Sequence, residues 1–322
     1  MTASIRPAEW IRLIEQEYLA GYVRDGGSAV KFAVPQDENL RNELFRGLDE
    51  VGRLGGYLVA GINAADTKVH MIDEIFFRVA QQVPWRELSL KMLVSLAAES
   101  GYSWVREGEG PLYRRLAEAN GVDPQMLLLD LKKAIWSKVV QRPSLSNDFR
   151  TAMNHLCLAE LLGGQEGATT TATLLDWMMG RNRAVGAVKP YLIFRKINRA
   201  TARYYFESMA HWVRLAGYAG MLIVIDMQRV MLAQNPRDES IFYGKSAVMD
   251  AYEVLREFID RADRLEGCLI TVVPETTFLE EHTRGLLSYT ALHHRVFDEV
   301  RDRSLVNPMA ALARIAAATA GN

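Results

Sequence analysis

A single carboxylate closes the most apolar stretch of the chain. Met221 to Ile225 is an unbroken run rich in β-branched residues, entered through Gly217 and Gly220, and it ends on Asp226, followed by Met227, Gln228 and Arg229. Such a run fits a strand buried on both faces of a parallel sheet. In open α/β sheets, ligands sit at the carboxyl ends of these strands. An apolar strand followed by Asp has the form of a Walker B element, whose Asp helps hold Mg²⁺ beside a nucleotide. The next position, where many ATPases carry a Glu that activates water, is Met227. Strand-end Asp residues also serve turns, so Asp226 is open to two roles, metal ligand and structural carboxylate.

A second group of residues suits phosphate contact. Between 181 and 214 stand eight basic residues (Arg181, Arg183, Lys189, Arg195, Lys196, Arg199, Arg203, Arg214) against one acid, Glu207. Arg195, Arg199 and Arg203 recur every four residues and on a helix would share one face. With Lys196 they are the candidate nucleic-acid contacts, with Tyr204, Tyr205 and Trp212 interleaved. A solvated face, or one paired with an acidic subunit, is the alternative. His282, His293 and His294 lie near Glu280 and Glu281 but lack HExxH order, so no metal site is expected. Asp73-Glu74 reads as a helix-start pair, and Gly-x-Ser-x-Gly is absent. No catalytic residue is assigned.

The elements that must position these residues follow from periodicity. Pro7 to Tyr22 reads as an amphipathic helix, Ala29 to Val34 as a strand, Glu38 to Leu54 as a helix and Gly56 to Ile62 as a strand, the strand–helix–strand order of a parallel sheet. Helical patterns then dominate: 71–83, 88–100, 111–120, 124–140 and 148–162. Gly163 to Thr173 reads as a Gly/Thr-rich loop, Leu174 to Met179 as a short helix, and Ile193 to Ala216 as one long helix. A polar loop at 234–243, a helix at 247–265, a strand at 267–273 and a helical C-terminus from Tyr289 to Arg303 complete the pattern. The expected organisation is a first part of an α/β core at 1–67, a helical insertion at 68–190, and a second part of the core with C-terminal helices at 191–322.

Composition narrows the function classes. The chain has 322 residues, 49% hydrophobic and 24% charged, with a formal net charge of -1. That balance gives no global electrostatic case for nucleic acid, though a local patch remains open. Cys157 and Cys268 form no CxxC pair, which argues against a disulfide framework or zinc site and for a reducing cytoplasm. No secretory signal and no membrane-length apolar run is visible.

Four stretches together resemble a known family. They are Gly26-Gly-Ser-Ala-Val-Lys-Phe-Ala-Val34, Leu174-Leu-Asp-Trp-Met-Met-Gly180, Ala210 to Asp226, and Val272-Val-Pro-Glu-Thr-Thr-Phe-Leu279 with Arg284-Gly-Leu-Leu-Ser-Tyr-Thr-Ala-Leu292. In this order they resemble the P-loop ATP-binding proteins of BREX phage-exclusion systems, the BrxD-like and BrxC-like members of the AAA+/ORC class. The resemblance implies a P-loop NTPase-like parallel sheet flanked by helices, with a large helical insertion. It also implies a role in bacterial antiphage defence and work at subunit interfaces.

The departures bear on chemistry. A phosphate loop reads GxxxxGK[ST], and the corresponding window is Pro35 to Asn42. Pro35 and Leu40 stand at the glycine positions, Arg41 at the Lys, and Asn42 at the Ser/Thr. Pro35 offers no N–H, Leu40 disfavours the backbone angles glycine allows, and Asp37 and Glu38 add repulsion toward a triphosphate. The expectation is a catalytically degenerate structural or regulatory subunit whose remnant nucleotide site is Arg41, Asn42 and Asp226. No cofactor is expected, Mg-ATP in the usual mode being doubtful. Arg41 either pairs with Asp226, replacing the Lys–phosphate balance, or is a solvated helix residue. Arg284 and Arg295 are candidate interface arginines, with surface ion pairs as the alternative. Expected partners are copies of the chain or an intact ATPase paralogue, and DNA through 181–214. An active ATPase with an altered loop and a stand-alone nucleic-acid module are the competing functions.

Overall fold

The computed structural model describes residues 4–105, 108–296, 307 and 310–317. Five strands, β1 (Ala29–Pro35), β2 (Leu58–Asn63), β3 (Met221–Asp226), β4 (Cys268–Val273) and β5 (Leu312–Ile315), form one sheet in the order β2-β3-β4-β1-β5. All four pairings are parallel. Every residue of β3 and β4 is buried, as expected of central strands covered on both faces. This is a P-loop NTPase-like α/β fold. Gly220 leads into β3 where the chain passes tightly under its neighbour: a Cβ there would collide with the carbonyl oxygen of Gly267.

The helices are α1 (Pro7–Leu13), continued by π-type turns over Ile14–Tyr22, then α2 (Glu38–Leu54), α3 (Ile72–Ala80), α4 (Trp85–Glu99), α5 (Leu112–Asn120), α6 (Pro124–Ile135), α7 (Asn147–Leu162), α8 (Gly164–Met178), α9 (Ala202–Leu215), α10 (Lys245–Asp260), α11 (Thr277–Glu280) and α12 (Thr290–Val296). They divide with the sheet into two compact units, residues 1–79 with 218–322, and Ala80–Gly217. The sequence pattern alone set the divisions at 67 and 190, which would have grouped α9 with the second part of the core.

In the sheet unit, α2 buries Leu40, Leu44 and Leu48, a four-residue repeat on one helix face. They join Trp10, Ile11, Ile14 and Leu19 in a cluster with Ala33, Leu222, Val224, Leu269, Val273 and Ile315 of the sheet. Leucine and isoleucine burial of this kind contributes about 1.5–3 kcal/mol per side chain. It fixes α2 against the sheet, and so fixes whatever the first turn of α2 presents at the strand ends.

In the helical unit, α4 to α9 bury Trp85, Phe149, Trp177, Phe206 and Trp212 almost completely. Two sequence expectations fail here. The expected loop at 163–173 is part of α8, whose Thr169 and Thr173 hydroxyls donate to the carbonyls of Gln165 and Thr169. This satisfies polar groups that would otherwise favour a turn. Gly167 lets the two helices meet, since a Cβ there would lie 2.7 Å from the Ala159 oxygen of α7. The long helix expected from Ile193 begins only at Ala202. The Asn198 carboxamide oxygen accepts from the N–H groups of Ala200 and Thr201, a local turn that competes with helix.

Two differences concern the C-terminal region. β5 was not expected, because four residues with alternating burial carry a weak pattern. The expected helix from Tyr289 is α12 over Thr290–Val296, and its continuation to 303 lies outside the described residues. Among the described residues no helix is long and apolar enough to cross a membrane.

Candidate nucleotide site at the sheet edge

Because the sheet is all parallel, β1 and β3 present their carboxyl ends on the same edge, and α2 follows β1 directly. Only Gln36 and Asp37 separate Pro35, the end of β1, from Glu38, the start of α2. A six-residue-plus loop of the GxxxxGK[ST] kind has room to wrap phosphate oxygens with backbone N–H groups; a two-residue connection has not. The backbone of this connection is already committed, since Gln36 donates its N–H to the Ile315 oxygen at 3.0 Å.

The N-terminus of α2 is also occupied. Asp37 is its N-cap, and the carboxylate accepts from the Leu40 N–H at 3.0 Å. A helix N-terminus is the natural seat for an anion, through its free N–H groups and the positive end of its dipole. Here the anion is the protein's own side chain.

One turn into α2, Arg41 reaches Asp226. Its Nη1 lies 2.9 Å from Asp226 Oδ2 and also donates to Gln228 Oε1, while Nη2 donates to Glu38 Oε1 at 2.9 Å. The Asp226 Oδ1 accepts the Gln228 N–H at 3.0 Å. The pair is largely shielded, with side-chain exposures of 15% for Arg41 and 8% for Asp226, so solvent screens it less than a surface pair. Burial raises the Asp226 carboxyl above its ordinary pKa; the Gln228 N–H and the Arg41 charge oppose the shift, and the nearby Glu38 charge adds to it. Asp37, Glu38 and Asp226 thus place three carboxylates around Arg41 and the first turn of α2.

Other candidates fall elsewhere. Asn42 points to the exposed side of α2 and does not join the cluster. Met227 is buried, 2% exposed, and supplies no group able to orient water. Arg284 directs Nη2 to the carbonyl oxygens of Val230 and Tyr243, at 3.1 and 2.6 Å, and its own carbonyl accepts the Tyr252 hydroxyl at 2.6 Å. It braces the segment after β3. Arg295 forms a two-pronged pair with Asp260 of α10 and donates to the Ala291 oxygen at 2.6 Å. Asp260 was not among the partners weighed from sequence. No group of three or more His, Cys, Asp or Glu that could hold a metal ion occurs among the described residues.

The basic candidates are rearranged. Arg195, Lys196 and Arg199 precede α9, and only Arg203 is in it, so their four-residue spacing does not align them on a helix face. Arg195, Lys196 and Arg199 are exposed, in a segment anchored by the buried Ile193 and Ile197.

Gln228 and Glu38 complete the Arg41 cluster and were not assigned as its ligands from sequence. The signal for Glu38 is its i,i+3 spacing to Arg41 on a helix. For Gln228 no local signal exists, because its amide meets Arg41 across 187 residues of chain.

The family model of the BREX system ATP-binding protein BrxC/D matches residues 118–321. The matched span includes β3 with Asp226 and both Arg284 and Arg295; β1, α2 and Arg41 precede it. No curated protein and no solved structure matches the chain. A match over more than half the chain, on a five-stranded parallel sheet with an Asp at the end of its buried strand β3, places this protein in the BREX ATP-binding protein family BrxC/D.

Proposed function

We propose that this chain is a non-hydrolysing member of its family, a structural or regulatory subunit of a BREX-type antiphage complex. The observation that carries the reading is the closed edge: Arg41 is held by Asp226, Glu38 and Gln228 while Asp37 caps the helix that would otherwise receive phosphate. An ATPase needs those groups free for phosphate and Mg²⁺, and a residue that positions water. Here the first are engaged and the last is Met227. The remnant site of Arg41, Asn42 and Asp226 then acts as a scaffold, and the subunit works through protein contacts, with copies of itself or with an intact ATPase paralogue.

The test is titration of the full chain with Mg-ATP by calorimetry, alongside an ADP-release assay. Neither micromolar binding nor turnover is expected. Turnover that disappears in Asp226→Ala would overturn the proposal and favour an active ATPase with an altered phosphate loop.

A second reading has its own support. The segment 189–204 exposes Lys189, Arg195 and Lys196, which favours a polyanion, and DNA or RNA contact is proposed there. It is independent of whether the sheet edge binds nucleotide.

A further inference from the structure

The same segment exposes apolar surface that phosphate contact does not explain. Leu192 is 65% exposed, Phe194 61% and Tyr204 40%. Leu192 also has a positive φ of 62°, a conformation a branched non-glycine residue adopts at a cost and only when its surroundings impose it.

Leu192 takes this angle as the cap of the short turn Lys189–Tyr191, donating its N–H to the Lys189 carbonyl at 2.9 Å, and the segment after it is anchored. Ile193 and Ile197 are buried at 0% and 6% exposure and anchor the strip from beneath. The Arg195 N–H donates to Asp148 Oδ2 at 3.1 Å, and this buried carboxylate also accepts the Tyr205 hydroxyl at 3.4 Å. The Thr201 hydroxyl closes the far end on the Lys196 carbonyl at 2.5 Å. Between these anchors the backbone is fixed, and the outward side chains are Leu192, Phe194, Arg195 and Lys196. At the start of α9, the Arg203 guanidinium lies 4.8 Å from the Tyr204 ring centroid and donates to its hydroxyl at 3.0 Å, which joins an aromatic ring to a cation.

We propose that this strip binds single-stranded nucleic acid, Phe194 and Tyr204 stacking on unpaired bases and Arg195 and Lys196 meeting the phosphates. The inference rests on the nucleic-acid reading above and adds the form of the ligand. A duplex keeps its base faces inside the stack and offers the protein mainly phosphate, leaving Phe194 and Leu192 exposed without gain. A single strand offers both base faces and charge, the combination that stacking platforms with interleaved cations recognise. An acidic protein surface would suit the cations but gives the aromatic rings no defined partner.

The test uses fluorescence anisotropy of the full chain with a labelled mixed-sequence DNA strand of about 20 nucleotides and with the matching duplex, across a salt series. The single strand should bind about tenfold more tightly than the duplex. Phe194→Ala should weaken single-strand binding by about tenfold and leave the duplex unchanged. Arg195→Glu with Lys196→Glu should weaken both and flatten the salt dependence. Equal binding of both forms with Phe194→Ala silent would overturn the stacking strip and leave the nucleic-acid reading standing. Binding of neither would overturn both. Polyglutamate competing as well as the oligonucleotide would also overturn the strip, as an unselective anion surface. The Phe194 ring is mostly exposed, so the thermal midpoint of Phe194→Ala should match the unsubstituted chain and exclude misfolding.

Discussion

Arg41 at the sheet edge and Arg195 before α9 are the same side chain in opposite circumstances. The Arg41 guanidinium is 15% exposed and held by two carboxylates and an amide. Arg195 gives its backbone N–H to the buried Asp148 and is itself exposed, its charge acting on the neighbouring Tyr205 hydroxyl. Basic residues in a sequence look equally available for phosphate; what separates them is whether the fold has already supplied the anion. At the sheet edge it has, with Glu38 and Asp226 on Arg41 and Asp37 on the helix N-terminus. On the strip the buried Asp148 takes the Arg195 backbone N–H, and Arg195 itself stays exposed. Under the proposed non-hydrolysing role, such a site need not be left empty, because the protein's own carboxylates engage Arg41 and the N-terminus of α2.

The largest effect that would test this contrast is on stability. Removing Arg41 strands Asp226 in a shielded position, so Arg41→Ala should lower the unfolding free energy by about 3 kcal/mol in urea denaturation. Arg195→Ala should change it by less than about 0.5 kcal/mol. Equal losses would break the distinction. A smaller effect is expected at the helix cap: Asp37→Ala should cost about 1 kcal/mol, and Asp37→Ser should restore most of it. If Asp37 instead held a metal for a bound nucleotide, Asp37→Ser would fold normally but lose Mg-ATP binding.

The smallest effect is in pH dependence. The folded Asp226 carboxyl titrates above its ordinary value of 3.8, so the folded state holds that proton more tightly than the unfolded chain. Its stabilising contribution is therefore full below the ordinary value and is lost as pH rises through the folded value. Unfolding of the unsubstituted chain and of Asp226→Asn, compared across that window, should show the native carboxylate losing stability relative to the amide with rising pH. A relative gain would mean that Arg41 outweighs burial and that the ion pair is the dominant influence on the carboxyl.

Much of the fold was legible because burial leaves a pattern. The runs that became β1, β3 and β4 are apolar but for Lys31, Asp226 and Thr271, and Leu40, Leu44 and Leu48 mark the inner face of α2. Where local pattern and tertiary setting diverge, the reading failed. Ile193 and Ile197 have helical spacing but are anchors of an irregular segment, held by Asp148 from 47 residues away. The Gly and Thr residues of 163–173 read as a loop, yet Gly167 is there to admit the α7 backbone and the threonines bond back within the helix. At the site, Asp226 and Arg41 were identifiable by residue type and position, and the pair between them was one of two alternatives. The roles of Gln228 and Asp260 were not visible, because each meets its arginine only through the folded sheet unit.

The strand order has a consequence for how the protein is made. β1 lies between β4 and β5, so an early strand has both of its neighbours encoded near the far end of the chain. Ser28 and Cys268, joined by a hydrogen bond beside that pairing, are 240 residues apart. On the ribosome, the helical unit at 80–217 can be complete while the apolar β1 still has two open edges. Such edges invite pairing with other chains, and contacts of this sequence separation form slowly. A nascent chain paused between 218 and 268 should therefore be the most aggregation-prone length, and the species most in need of a chaperone.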